Sequence, residues 1–182
     1  MSATTEKVIS GLEGVLACES SVAFIDGNIP ELSYRGYDIH DIAETLTYEQ
    51  VVSLLWNGEL PTTAELQAFR TDLAGRRSVP KAVSDLLRTV PAGAHPMAVL
   101  RTAVSLLGAL DSRADDNSPS DLRRKAADLT AQIPTIVAAQ ARLQLGHSPI
   151  DPDPSLSLAE NYYYMLTGTR PDATIARTLD TT

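Results

Sequence analysis

The 182 residues are enough for one well-packed domain and too few to predict a second, since single domains run to about 100–200 residues. Apolar residues make up 43% of the chain and charged residues 21%, a globular balance that excludes a disordered segment. The formal net charge of -8 sets the average surface against a phosphate backbone, so no nucleic acid partner is expected.

In chain order, Met1 to Ser10 lacks the basic segment and apolar run of a secretion signal. No later stretch approaches the ~20 apolar residues of a membrane span, so no membrane partner and a cytoplasmic location are expected. Cys18 is the only cysteine, which rules out an intrachain disulfide and fits a reducing compartment. Its neighbours Leu16, Ala17 and Glu19 supply no base, so the thiol reads as buried or incidental rather than nucleophilic. From Ser20 to Tyr37 two short β-prone runs flank a turn containing Asp26-Gly27, the only convincing hairpin.

Everything afterwards has helical period. Ile39, Ile42, Ala43 and Leu46 share one helical face, and Thr47 with Gln50 forms a capping-box pattern before Val51, Val52, Leu54, Leu55 and Trp56, with Gly58 as the stop. Thr62 and Glu65 repeat that spacing before Leu66, Phe69 and Leu73, closed by Gly75. Pro80 suits the first turn of a helix carrying Val83, Leu86 and Leu87. Pro96 opens a strongly apolar run from Met97 to Leu110 that reads as the central helix.

Ser118, Pro119 and Asp121 cap a long helix towards Leu145, ended by Gly146 and interrupted by Pro134, where a kink is expected. Within it Arg123, Arg124 and Lys125 read as a solvated face. Asp151-Pro152-Asp153-Pro154 is a stiff connector. Ser157 and Glu160 then cap a helix with Tyr162, Tyr163, Tyr164, Met165 and Leu166, ended by Gly168. The tyrosines point about 100° apart and read as packing residues whose hydroxyls reach polar partners. From Pro171 to Leu179 an amphipathic helix begins without a completed apolar face and reads as cut off.

Only His40, His95 and His147 are available as histidine bases. His147 falls in a Gly-His-Ser-Pro turn and reads as exposed, while His40 reads as a surface ion-pair partner of Glu44. His95 precedes Pro96 and could satisfy orphan backbone donors at the head of its helix. No metal is predicted, because cysteine and histidine show no ligand spacing and Asp115-Asp116-Asn117 lacks the glycine and distant glutamate of a calcium loop. No phosphate loop, nucleophile elbow or kinase signature occurs.

Several phrases in order resemble the N-terminal part of citrate synthase and its relative 2-methylcitrate synthase. They are Gly11-Leu12-Glu13-Gly14-Val15, Ser20 to Gly27, Tyr34-Arg35-Gly36-Tyr37-Asp38-Ile39 and Leu54-Leu55-Trp56-Asn57-Gly58-Glu59-Leu60-Pro61. Further on come Ala94-His95-Pro96-Met97, Leu100-Arg101-Thr102-Ala103-Val104 and Tyr164-Met165-Leu166-Thr167-Gly168. The resemblance implies an all-α, multi-helical fold, here with one small β-hairpin near residues 20–37. Residues 1–182 would form the N-terminal portion of its large helical domain, truncated before the catalytic segments.

It further implies a homodimer through helices near residues 96–110 and 119–145. The implied reaction condenses acetyl-CoA with oxaloacetate to give citrate and CoA, with acyl-CoA as substrate and no tightly bound cofactor. Propionyl-CoA in a 2-methylcitrate synthase is an alternative, as are a non-enzymatic interaction module and a split enzyme. The family's catalytic histidines lie in His-Gly-Gly and Gly-His-Arg motifs, followed by an aspartate; neither histidine motif occurs here, and Gly146-His147-Ser148 is not the latter. No catalytic, cofactor-binding or metal residue is therefore assigned, and the chain alone is expected to be inactive.

Overall fold

The computed structural model describes residues 18–26 and 28–181, so the Gly11 to Val15 phrase and Gly27 lie outside the described residues. Three short strands come first, β1 (Ala23–Asp26), β2 (Glu31–Tyr34) and β3 (Tyr37–Asp38), joined antiparallel in the order β1-β2-β3. The single hairpin expected is thus extended by a second. Arg35 and Gly36 take positive φ of 51° and 87° between the paired Tyr34 and Tyr37, a two-residue turn whose twist matches the strands. An arginine rarely adopts that conformation. Here its guanidinium is fastened on both sides: Nη2 and Nε donate to the Leu55 carbonyl at 2.8 and 3.3 Å, and Nη1 donates to Ser21 Oγ at 2.8 Å.

Eight helices follow among the described residues: α1 (Ile39–Thr45), α2 (Tyr48–Asn57), α3 (Thr63–Gly75), α4 (Lys81–Thr89), α5 (Pro96–Leu110), α6 (Pro119–Gln144), α7 (Leu158–Thr167) and α8 (Ala173–Thr181). All three capping boxes form, at Thr47/Gln50, Thr62/Glu65 and Ser157/Glu160. Each gives two orphan N–H groups a partner before the chain enters the helix. Gly58 and Gly168 close α2 and α7 in the left-handed conformation. Pro80 is the residue before α4 rather than within its first turn. Gly146 and His147 end α6 with paired bonds, Gly146 N–H to Leu143 O at 3.0 Å and His147 N–H to Arg142 O at 2.8 Å, the Schellman pattern.

The long helix α6 is the hub, and it runs unbroken through Pro134. It packs against α3, α4, α5 and α7. One core joins Val83 and Leu87 of α4, Val99 and Ala103 of α5, and Ile136 of α6. A second joins Leu73 of α3, Ala127 and Ala131 of α6, and Leu158 of α7, flanked by the edge-to-face pair Trp56 and Phe69 at 5.6 Å. This corrects the expectation that α5 is central. Only Val99 and Ala103 of α5 are buried, and its outer face carries exposed Met97, Arg101, Thr102, Ser105, Ala109 and Leu110. An apolar run marks a helix that buries something, without saying on how many sides.

The last helix, α8, buries no residue, yet it is docked by polar groups. Arg177 donates to the carbonyls of Ala43 and Leu46 at the end of α1, at 2.6 and 3.0 Å, and Asp180 accepts from the Tyr48 N–H at the head of α2 at 3.0 Å. One side chain answers a helix C-terminus and the other an N-terminus, both favourable with the helix dipoles. Among the described residues no helix is long and apolar enough to cross a membrane.

Candidate functional site

The three histidines lie exposed on separate elements. His40 stands in the first turn of α1, its backbone N–H donating to Asp38 Oδ1 at 2.8 Å. The ion pair with Glu44 read from the sequence is not formed among the described residues, where no histidine–carboxylate contact falls within 4.0 Å. His147 follows the end of α6 with its side chain exposed. His95 does what its position suggested: as N-cap of α5, its Nδ1 accepts the Met97 N–H at 3.2 Å. That bond requires an unprotonated Nδ1 and leaves the imidazole a capping role. Cys18 is exposed, and no group of three or more His, Cys, Asp or Glu side chains is placed to hold a metal among the described residues.

Of the charged run in α6, Arg123 is exposed as a solvated face predicts, while Arg124 and Lys125 are drawn into a network. Asp121, in the first turn, has a side chain only 1% exposed, and Arg124 one turn later donates to its two oxygens through Nε at 2.8 Å and Nη2 at 2.9 Å. The same guanidinium reaches Asp111 Oδ2 at 2.6 Å and Asp128 Oδ2 at 3.0 Å. Lys125 donates to the carbonyls of Ala114 and Asp116 at 2.7 and 2.6 Å and lies 3.3 Å from Asp121. Arg123 stacks over Trp56 at 5.8 Å and donates to Asn57 Oδ1 at 2.6 Å. The physical reason is the loop after α5, which delivers Asp111 and the 114–116 carbonyls to the head of α6. The Arg124 hydrogen bonds hold the Asp121 carboxyl down at about 2, and Asp111 is lowered mainly by the same guanidinium. Arg124 in turn is raised, Asp121 being the largest cause.

Beside this network lies a groove of about 390 Å³, with Val104, Leu107 and Leu110 of α5 on one wall and Leu129 of α6 on the other. Its polar end is formed by Asp111, Arg124, Lys125 and Asp128. These cations are already answered by carboxylates, so the groove offers apolar surface rather than a free charge. Among the described residues, no base stands next to a free hydrogen-bond donor on the outer face of α5 or in this groove. The three consecutive tyrosines of α7 are each half-buried, as packing residues, but their hydroxyls find no hydrogen-bond partner among the described residues.

The family model described as "Citrate synthase, C-terminal domain" matches residues 11–182. Citrate synthase of Haloferax volcanii is 44% identical over 174 residues, covering 93% of this chain and 46% of that protein. The 2-methylcitrate synthase 2 of Corynebacterium glutamicum is 38% identical over 179 residues, covering 98% and 47%. Among solved structures, citrate synthase from Thermotoga maritima superimposes with a TM-score of 0.82 at 36% identity, covering 94% of this chain and 44% of that one. Citrate synthase from Pyrobaculum aerophilum gives 0.86 at 34% identity, covering 93% and 44%. The chain spans about half the length of the curated relatives it matches.

Proposed function

The chain belongs to the citrate synthase family, and we propose from that premise that it is the helical support of an enzyme condensing acetyl-CoA with oxaloacetate to citrate and CoA. The observation that carries the reading is the continuity of the likeness, 44% identity over nearly the whole chain with the Haloferax protein. A second acyl preference, propionyl-CoA giving 2-methylcitrate, is favoured by relatives of that name at 38% and 39% identity. The difference is one methylene, which a few pocket contacts decide.

The condensation needs a base to enolise the thioester and a donor to hold the developing enolate oxygen. His95 is committed to a helix cap, and His40 and His147 stand exposed and apart. The contribution of these residues is accordingly scaffold: α6 fixes α3, α4, α5 and α7 around one axis. In this reading the protein works in the cytoplasm.

The outer face of α5 serves as a homodimer contact. Much of α6 is covered by its own chain, so its share of that contact narrows to exposed positions such as Leu122 and, just past its last turn, Leu145. Leu110 is the clean probe, since Leu107 also packs against the inner core. Leu110→Asp is expected to weaken association in sedimentation velocity while leaving the helix content intact. Unchanged association would remove the contact. The chain itself, given acetyl-CoA or propionyl-CoA with oxaloacetate, is expected to release no CoA thiol; oxaloacetate-dependent release would overturn the scaffold assignment.

A further inference from the structure

Glu49 stands in the first turn of α2 and is 1% exposed. Its Oε1 accepts the N–H of Leu158, the first residue of α7, at 2.8 Å. Its other oxygen, Oε2, is buried without a hydrogen-bond donor, the nearest cation being Arg70 Nη2 of α3 at 3.5 Å. Arg77, 2% exposed just after α3, commits Nη1 and Nη2 to the carbonyls of Asp153 and Leu156 at 2.9 and 3.0 Å. Its Nε is buried and unpartnered, and so is the Nε of Arg70. All three residues line one pocket of about 260 Å³ bordered by α3, the 154–157 segment and the heads of α2 and α7, with its mouth at the exposed Gln67, Thr71 and Ser155.

Buried polar atoms are costly to leave unpaired, and natural folds seldom do so. The donor and acceptor complement selects the guest. An anion would suit the two Nε–H groups and be repelled by Oε2; a cation would suit Oε2 and be repelled by both guanidinium groups. Water accepts from an Nε–H and donates to Oε2 at once. The volume exceeds the roughly 30 Å³ that one water occupies in the liquid, so several fit. We propose that this cavity is a site for ordered water bridging Glu49 Oε2, Arg70 Nε and Arg77 Nε, which completes the junction of α2, α3 and α7. Burial also disfavours the charged form of Arg77, and hydration inside the cavity relieves that pressure.

The test is a high-resolution crystal structure of the protein from crystals soaked in sodium bromide, with water relaxation dispersion measured in solution. The site predicts water density within hydrogen-bond distance of the three atoms, long-lived internal water in solution, and no anomalous bromide peak. Bromide between Arg70 and Arg77 would overturn it in favour of an anion site. A dry cavity whose three polar atoms re-pair with protein groups would overturn it as well. Glu49→Gln keeps an oxygen for the Leu158 N–H but removes the second acceptor, and part of the long-lived water signal is expected to be lost. Should that variant not fold, the wild-type crystal and solution measurements still decide.

Discussion

Replacing Ile136 by alanine tests the arrangement around α6 quantitatively. Ile136 is 0% exposed and is held by Val83 and Leu87 from α4 and by Val99 and Ala103 from α5. The truncation deletes the equivalent of three methylenes, and at about 0.8 kcal/mol for each buried CH₂ the transfer contribution alone is about 2.4 kcal/mol. Two rigid helices close over the site, so collapse into the space is incomplete and a cavity contribution adds to this. The expected loss is about 3–4 kcal/mol, inside the range of about 2–5 kcal/mol for such truncations. The control is Leu110→Ala on the outer face of α5, where the side chain is 49% exposed, and a loss below about 1 kcal/mol is expected. Urea unfolding followed by circular dichroism gives both values from the midpoint at constant m. Equal losses at low protein concentration would refute the placement of α6, rather than α5, at the centre.

Other perturbations follow from the same contacts. Gly168→Ala forces a side chain into φ +84° at the end of α7, with Ile150 Cδ1 3.4 Å from the new Cβ; thermal unfolding should register roughly 1–2 kcal/mol of lost stability. Gly75→Ala, in the last turn of α3 with nothing within 4 Å, should instead stabilise by roughly 0.5–1 kcal/mol in the same measurement. Asp121 is depressed to about 2 in the folded chain against about 3.9 unfolded, so its contribution is present above the unfolded value and lost as pH falls towards 2. Melting temperature from pH 6 to 2 should therefore fall more steeply for the native chain than for Asp121→Asn, and parallel profiles would contradict the Arg124 network. His95→Ala should lower stability through the lost α5 cap, whereas His95→Asn, whose side chain can accept the Met97 N–H, should restore it.

What was legible in the sequence was what is settled within a few residues. The three capping boxes and the closing glycines at 58 and 168 needed no tertiary information, because side chain and backbone meet within one turn. The His95 cap belongs with them. The second hairpin was hidden because Arg35 is an unusual residue for its φ, and the guanidinium bonds that hold it reach back to Ser21 and forward to Leu55. The Arg124 hub reads as solvated in the sequence because, although Asp121 and Asp128 lie one turn away on the same helix, Asp111 reaches it from the loop after α5, which pattern alone does not place. Glu49 gave no signal at all: its partner, the Leu158 N–H, is 109 residues away. The family could be recognised from short phrases whose local structure is punctuated by these same caps and turns, whereas the burial order of the helices depends on which faces meet.

The most direct test of the central claim places this chain's residues 11–182 into the full Haloferax volcanii citrate synthase in place of its corresponding segment, 44% identical. Thiol release is then assayed with acetyl-CoA and oxaloacetate. A scaffold that supports the condensation predicts a chimera that retains oxaloacetate-dependent CoA release, while a chimera that folds to the same helix content and releases no CoA would contradict it.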